Sequence, residues 1–253
     1  AAGDPAVTMR RLAVAAAAVA GPLLAAGAAS AQNLSLDFSQ AGGSSTAQII
    51  QLFALITVLS LAPSILVMVT SFVRIVVVLS FLRTAMGIQG TPPNAVMISL
   101  ALFLTGFVMA PVFQQAYSQG IVPLVNEDIE PLEAFERTVT PVHAFMMRHV
   151  RNEDLVLFSD LAKAAPIARP EDTPLHVLVP AFMISELRRA FEIGFLLFLP
   201  FLVIDMVVAS ILMAMGMMML PPASVSMPFK IIFFVLVDGW HLIAGTLVQS
   251  FGN

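Results

Sequence analysis

Residues 193–219 read IGFLLFLPFLVIDMVVASILMAMGMMM, an apolar run interrupted by one charge, Asp205, and ended by Pro221-Pro222. A helix needs roughly 20 predominantly apolar residues to cross the hydrocarbon core of a bilayer. This run exceeds that, and it is too poor in polar residues to give a helix a water-facing side. The fold is decided here: an α-helical chain whose solvent is lipid or other apolar helices. Outward from this run, three more stretches share its character. From Ile49 to Val73 there is no charge, and beyond Arg74 apolar residues continue to Leu82 before Arg83. Pro63 lies inside that stretch and predicts a kink, because it removes a backbone donor and crowds the preceding turn. The region reads either as one long bent helix or as a helical hairpin. Thr91-Pro92-Pro93-Asn94 is a clear break, followed by a span from Ala95 to about Val112 with Pro111 near its end. A last segment from Phe229 to about Val248 carries Lys230 and Asp238.

Composition agrees. The chain is 58% hydrophobic and 11% charged, with a mean hydropathy of +0.92. A water-soluble domain carries roughly 25% charge. The net charge of -4 and the absence of a basic stripe give nucleic-acid binding no electrostatic footing. Without cysteine there are no disulfides, thiolate nucleophiles or cysteine metal sites.

The N-terminus reads as a processing segment. Met9-Arg10-Arg11 precedes an Ala/Val/Leu run and then Ala29-Ser30-Ala31 before Gln32, which is the order of a cleavable secretory signal. The competing reading, a first transmembrane helix, is opposed by Gly21-Pro22 within the run. Between Tyr117 and Ser185 lie ten of the chain's sixteen acids, among them Glu127, Asp128, Glu153 and Asp154. Thr140-Pro141 and Thr173-Pro174 each predict a helix start there, a capping hydroxyl before a proline at the first helical position. The expected organisation is a leader and cleavable signal (1–31), a flexible lead-in (32–48), and a first apolar helical region (49–116). An acidic periplasmic domain (117–185) and a second apolar helical region (186–253) follow. The fold class is all-α: a polytopic helical membrane protein with about four apolar segments and a small, mostly helical extracytoplasmic domain. Its cations would place the acidic region inside the cell by a plain positive-inside count. That rule applies to short loops, so the signal sets an orientation with N-terminus, acidic domain and C-terminus outside.

Charges within apolar helices are functional candidates, since an unpaired one costs several kcal/mol there. Arg74, Asp205, Lys230 and Asp238 are such residues. Lys230 and Asp238 are about two turns apart on one helix face and read as an ion pair used in assembly or as a buried polar contact. Proton relay by Asp205 and Asp238 is the sharper alternative, and it would make the chain a self-contained ion or proton-coupled transporter. Around Ser185, Glu186 and Arg189 are spaced i,i+3 and Arg188 and Glu192 i,i+4, which predicts ion pairs along a helix at the membrane boundary. Six methionines fall between Met206 and Met219. Thioether side chains are flexible enough to close a hole and still deform, though methionine also merely fills apolar helices. The histidines show no metal-ligating spacing, and no nucleophile constellation occurs. No catalytic, cofactor or metal residue is expected.

Longer strings carry a resemblance. Ser60-Leu-Ala-Pro63, Thr70-Ser-Phe-Val-Arg74, Pro92-Pro-Asn94 and Leu100-Ala-Leu-Phe-Leu-Thr105 are followed by Ser185-Glu-Leu187, Ile193-Gly-Phe195, Ile204-Asp205, Met215-Gly-Met217, Pro228-Phe-Lys230 and Asp238-Gly-Trp240. In this order they resemble the FliP family from about Leu52 to Ser250. The resemblance implies a non-enzymatic subunit of the flagellar type III protein export gate in the bacterial inner membrane and flagellar basal body. Such subunits form a homo-oligomer within a hetero-oligomer with FliQ and FliR, beside other export-apparatus membrane proteins, and pass unfolded flagellar proteins. It maps a pore gasket onto Met217, Met218 and Met219. In such an assembly the apolar helices pack on neighbouring subunits and need not all cross lipid.

Overall fold

The computed structural model describes residues 45–88, 90–163, 169, 172–217 and 219–252. The expected signal segment, and the lead-in as far as residue 44, lie outside the described residues. The elements are α1 (Ser45–Met68), α2 (Phe72–Met86), α3 (Asn94–Ala116), a π-helical turn (Tyr117–Ile121), α4 (Val122–Val125), α5 (Pro131–His149), α6 (Asn152–Leu161), α7 (Leu175–Ala214), α8 (Pro222–Leu236) and α9 (Gly239–Gln249). No β-strand occurs among the described residues. The protein is an all-α polytopic membrane protein. Two continuous helical stretches, Asn94–Val125 and Leu175–Ala214, have the length and apolarity to cross a bilayer. Two bent pairs, α1 with α2 and α8 with α9, bring the candidate spans to as many as four, the second pair bending by 64°.

The chain divides into two compact units between Thr57 and Val58, within α1. In the first, the described residues form the opening turns of α1, where Thr57 Oγ1 donates to the Phe53 carbonyl at 2.8 Å. Ile49, Ile50, Phe53 and Ile56 are exposed there. This helix starts inside the stretch expected to be a flexible lead-in; Ser45-Thr46 supplies residues that favour a helix entrance.

The second unit is organised around α2. Ile75, Val78, Leu79, Leu82, Ala85 and Met86 are buried, a stripe at i, i+3, i+4, i+7 spacing. That stripe packs against α3, α7 and α8. Deep contact with α7 is possible because Gly194 faces the Phe81 ring: a Cβ at that position would sit 2.5 Å from it. A second core joins Met109 of α3 to Phe145 and Met146 of α5 and to Leu178, Ala181 and Phe182 of α7. In α5 the buried residues Ala134, Pro141, Phe145 and His149 repeat at seven- and four-residue intervals, so one face packs and the other stays polar.

Three expectations change. The break after α1 falls at Val69–Ser71, beyond Pro63, which α1 absorbs. Thr140-Pro141 does not start a helix: α5 begins with Pro131 at its first turn and runs through Pro141. Thr140 is instead bonded back within the helix, its hydroxyl donating to the Glu136 carbonyl at 2.8 Å. Thr173-Pro174 does mark the start of α7, but the Thr173 hydroxyl makes no capping bond. From there α7 runs 40 residues, about 60 Å at 1.5 Å per residue, roughly twice a hydrocarbon core. It passes without a break from the acidic region into the apolar one.

Candidate functional site

Two ionic centres, one fully buried and one with its carboxylate half-buried, and one exposed loop hold the polar and adaptable chemistry of the second unit. The first centre is Arg74, near the start of α2. Its Nε donates to Glu186 Oε2 at 2.8 Å and its Nη2 to Glu186 Oε1 at 2.5 Å, a bidentate pair. Both side chains are essentially inaccessible, at 1% and 0% exposure. The remaining Nη1 donates to the Ser250 carbonyl and hydroxyl, each at 3.0 Å. Phe251 lies over the guanidinium at 3.7 Å, and its ring also meets Phe145 and His149. The contacts of this cation thus join α2 to α7 and to the two residues just after α9, with α5 reached through the Phe251 ring. Such a pair stabilises only with its hydrogen bonds complete, as they are here.

Next to Glu186, Ser185 extends the network. It accepts the Arg151 N–H at 3.0 Å and donates to Asp154 Oδ2 at 2.6 Å, tying α6 to α7. The expected Glu186–Arg189 pair is therefore replaced by Glu186–Arg74, because Glu186 points into the core while Arg189 sits at its margin. Arg188 and Glu192 do pair, at 3.2 Å, on the exposed face. Exposed pairs of this kind contribute little. His149 Nδ1 is 2.9 Å from the Phe145 carbonyl and its Nε2 3.4 Å from that of Phe251. Burial first, and then the nearby Arg74 charge, hold its imidazole below the ordinary histidine range; the two carbonyls oppose that only in part.

The second centre is Lys230 on α8. Its Nζ donates to Asp205 Oδ2 at 2.7 Å and to the Ala85 carbonyl at 3.0 Å. Ala85 lies in the last turn of α2, where carbonyls lack intrahelical donors and the helix dipole favours a cation. Ser226, one turn before Lys230 and fully buried, donates to Asp205 Oδ1 at 2.5 Å. Helices α2, α7 and α8 are joined at this point. The expected Lys230–Asp238 pairing is corrected: α8 ends at Leu236, and Asp238 sits in the left-handed region (φ 51) at the break before α9, exposed. Two turns of continuous helix, which would align the pair, do not exist.

Between α7 and α8 the chain presents its methionines. Gly216, at φ 74, ends α7 in a Schellman arrangement, with Met217 N–H donating to the Leu212 carbonyl at 2.9 Å and Gly216 N–H to that of Met213 at 3.1 Å. A side chain would be strained at that φ, so glycine sets the place where the helix stops. Met215, Met217 and Met219 are exposed, Met219 at 98%. Met218 lies outside the described residues. Thioethers held outward on a short connector can close against one another or around a chain. Among the described residues, no three His, Cys, Asp or Glu side chains are grouped to hold a metal.

Sequence reasoning singled out Arg74, Glu186, Asp205 and Lys230 but not Ser226, Ser250 or Phe251, which complete their shells. Ser226 is i,i+4 to Lys230 and was open to detection by that spacing. Ser250 and Phe251 carry no local signal.

Residues 55–247 match the FliP family. A flagellar biosynthetic protein FliP of Caulobacter vibrioides is 62% identical over 227 residues, covering 90% of this chain and 84% of that protein. The protein of the same name from Rhizobium meliloti is 52% identical over 229 residues, covering 89% of this chain and 94% of the relative. That of Bacillus subtilis is 51% identical over 214 residues, with coverages of 85% and 97%.

Proposed function

Because the chain belongs to the FliP family, we propose that it is a non-enzymatic subunit of the flagellar type III protein export gate. Several copies assemble with FliQ and FliR into the channel core, beside other export-apparatus proteins, in the bacterial inner membrane at the basal body. Unfolded flagellar proteins pass through that core, and Met217, Met218 and Met219 form its gasket. Residues 117–185 form the periplasmic part.

One observation of the molecule supports this reading above the rest: among the described residues, the ionic pairs that join the apolar helices are made within the chain, while much apolar helix surface stays uncovered. Arg74 is paired with Glu186 and Lys230 with Asp205, while Phe191, Phe195, Leu196, Val203 and Met206 along α7 stay exposed. A subunit built to be covered by lipid and by like helices has that distribution. A self-contained proton carrier needs an ionisable group with an open path. Asp205 is engaged by Lys230 and Ser226, which favours a structural part for it.

The test is purification of the tagged protein in mild detergent from cells that express FliQ and FliR, followed by mass analysis of the intact complex. Several copies recovered with both partners is the expected result. A lone chain or a plain homo-oligomer from the same cells would overturn the proposal.

A further inference from the structure

While Ala134, Pro141, Phe145 and His149 turn one face of α5 into the core, the other face lines a cavity of about 510 Å³ in the acidic region. That volume is within the range of small-molecule sites. Phe135, Val139, Met147 and Leu175, the first residue of α7, give the cavity an apolar wall. Its polar groups are Glu136, Thr140 and His143, spaced i, i+4 and i+7 and therefore aligned on one side of the helix. We propose that this cavity binds a small organic cation, an ammonium group carried on an apolar body of aryl size.

Three observations set this class of ligand. First, every polar group offered is an acceptor. The Thr140 hydroxyl donates to the Glu136 carbonyl at 2.8 Å, which leaves only the lone pairs of its oxygen. His143 Nε2 is 2.8 Å from the Thr173 carbonyl; a carbonyl can only accept, so Nε2 carries the hydrogen and Nδ1 of the neutral ring is an acceptor. Glu136 adds a carboxylate. A ligand that satisfies this set has to bring donors, and an ammonium group brings three. Second, the set is idle within the chain. Among the described residues neither the Glu136 carboxylate, nor Thr140 Oγ1, nor His143 Nδ1 receives a donor, and the adjacent Arg137 turns to Glu133 at 2.5 Å. Third, charge and apolar surface coincide. Glu127, Asp128, Glu130, Glu133 and Glu136 stand against Arg137 alone between residues 127 and 137, a field that draws cations. The Phe135 ring and the Met147 thioether suit an aromatic or cationic neighbour. An anion would meet the carboxylate unmatched, and a neutral ligand would gain only the apolar wall. The volume also exceeds that of one lysine or arginine side chain, which favours a free ligand over a single side chain inserted by a partner.

The experiment uses the full chain in phosphatidylcholine nanodiscs, titrated by calorimetry at neutral pH with phenethylamine. Phenethyl alcohol serves as the uncharged isostere and empty nanodiscs as the blank. Glu136→Gln removes the charge at nearly constant size, and Ala144→Leu fills the cavity from an exposed position on its rim. Both sites face outward, so both variants should keep the wild-type unfolding midpoint. Saturable binding of the amine, about tenfold tighter than that of the alcohol, is the expected result. Glu136→Gln should weaken the amine about tenfold and leave the alcohol unchanged. Ala144→Leu should abolish binding of both. No saturable binding, equal affinity for amine and alcohol, or wild-type amine affinity in either variant overturns the proposal. If either variant shifts its unfolding midpoint, Thr140→Val, which removes one acceptor at constant shape, takes its place, and undiminished amine binding there counts against the proposal. A last arm uses a blocked tripeptide with arginine between two apolar residues. Glu136-dependent binding of that peptide without binding of phenethylamine would assign the cavity to a partner's side chain and overturn the small-ligand reading.

Discussion

Replacing Glu186 by Gln keeps the side chain's shape but leaves the Arg74 guanidinium buried without its counter-charge. The amide can accept one of the two hydrogen bonds, at the Nε or the Nη2 position, and turns a donor toward the other. Breaking a buried pair by removing one partner costs about 3–5 kcal/mol. Retention of one bond puts Glu186→Gln near the lower end, about 3 kcal/mol, which is a large share of a typical stability of about 5–15 kcal/mol. For a chain of this size that corresponds to a fall of about 6–12 °C in Tm. The joint variant Arg74→Met with Glu186→Leu removes both charges and fills the space with apolar atoms. It forfeits the Ser250 bonds and the contact with Phe251, but leaves no isolated ion, so it should lie within about 2 kcal/mol of wild type. Thermal unfolding of the purified protein in one detergent at one pH, with both single variants and the double, gives the cycle. A coupling of at least about 2 kcal/mol is expected. Single variants within about 0.5 kcal/mol of wild type, or strictly additive ones, would refute the view that this pair closes the core.

Two further outcomes follow from the same packing. His149 has its folded pKa below the ordinary 6.5, so above that pH it is neutral whether folded or unfolded; as pH falls through 6.5 the unfolded chain takes up a proton that the folded one resists. Stability should therefore be complete above about 6.5 and decline on acidification. Unfolding measured from pH 8 to 5 should show that slope, and His149→Phe should flatten it. Gly194→Ala drives a methyl against the Phe81 ring and should cost about 1–3 kcal/mol. Pairing it with Phe81→Leu should restore part of that, and additive losses would show that the glycine's close approach is not what matters.

The sequence made legible what depends on runs and on local spacing. Apolar stretches gave the helices, Pro92-Pro93 and Pro221-Pro222 gave breaks, charges stranded among apolar residues gave Arg74, Asp205, Lys230 and Asp238, and the charged string at the membrane boundary gave Glu186. It misassigned their partners. Glu186 was matched to Arg189 because i,i+3 spacing sees only one helix, whereas its partner is 112 residues away. Lys230 was matched to Asp238 across a helix end that hydropathy does not mark, since both sides of the break are equally apolar. The Thr140-Pro141 start failed for a related reason. Pro131 opens the same helix earlier, and packing of Phe145, Met146 and His149 holds it through the second proline. Local chemistry identifies which groups must be paired; the pairing itself belongs to the tertiary fold.

The separation of Arg74 from Glu186 also has a meaning in time. At about 5–20 residues per second, synthesis of the 112 residues between them takes about 6–22 s. Throughout that interval a cation sits in an apolar segment with no carboxylate, at a cost of about 2.5–3.5 kcal/mol if it enters the middle of the bilayer. Helix α2 therefore has reason to wait at the membrane surface, or in the shelter of the insertion machinery, until α7 emerges. The Ser250 and Phe251 contacts come later still. Biogenesis of the bundle is thus ordered by its own electrostatics, with the first half committed only when the second has been made.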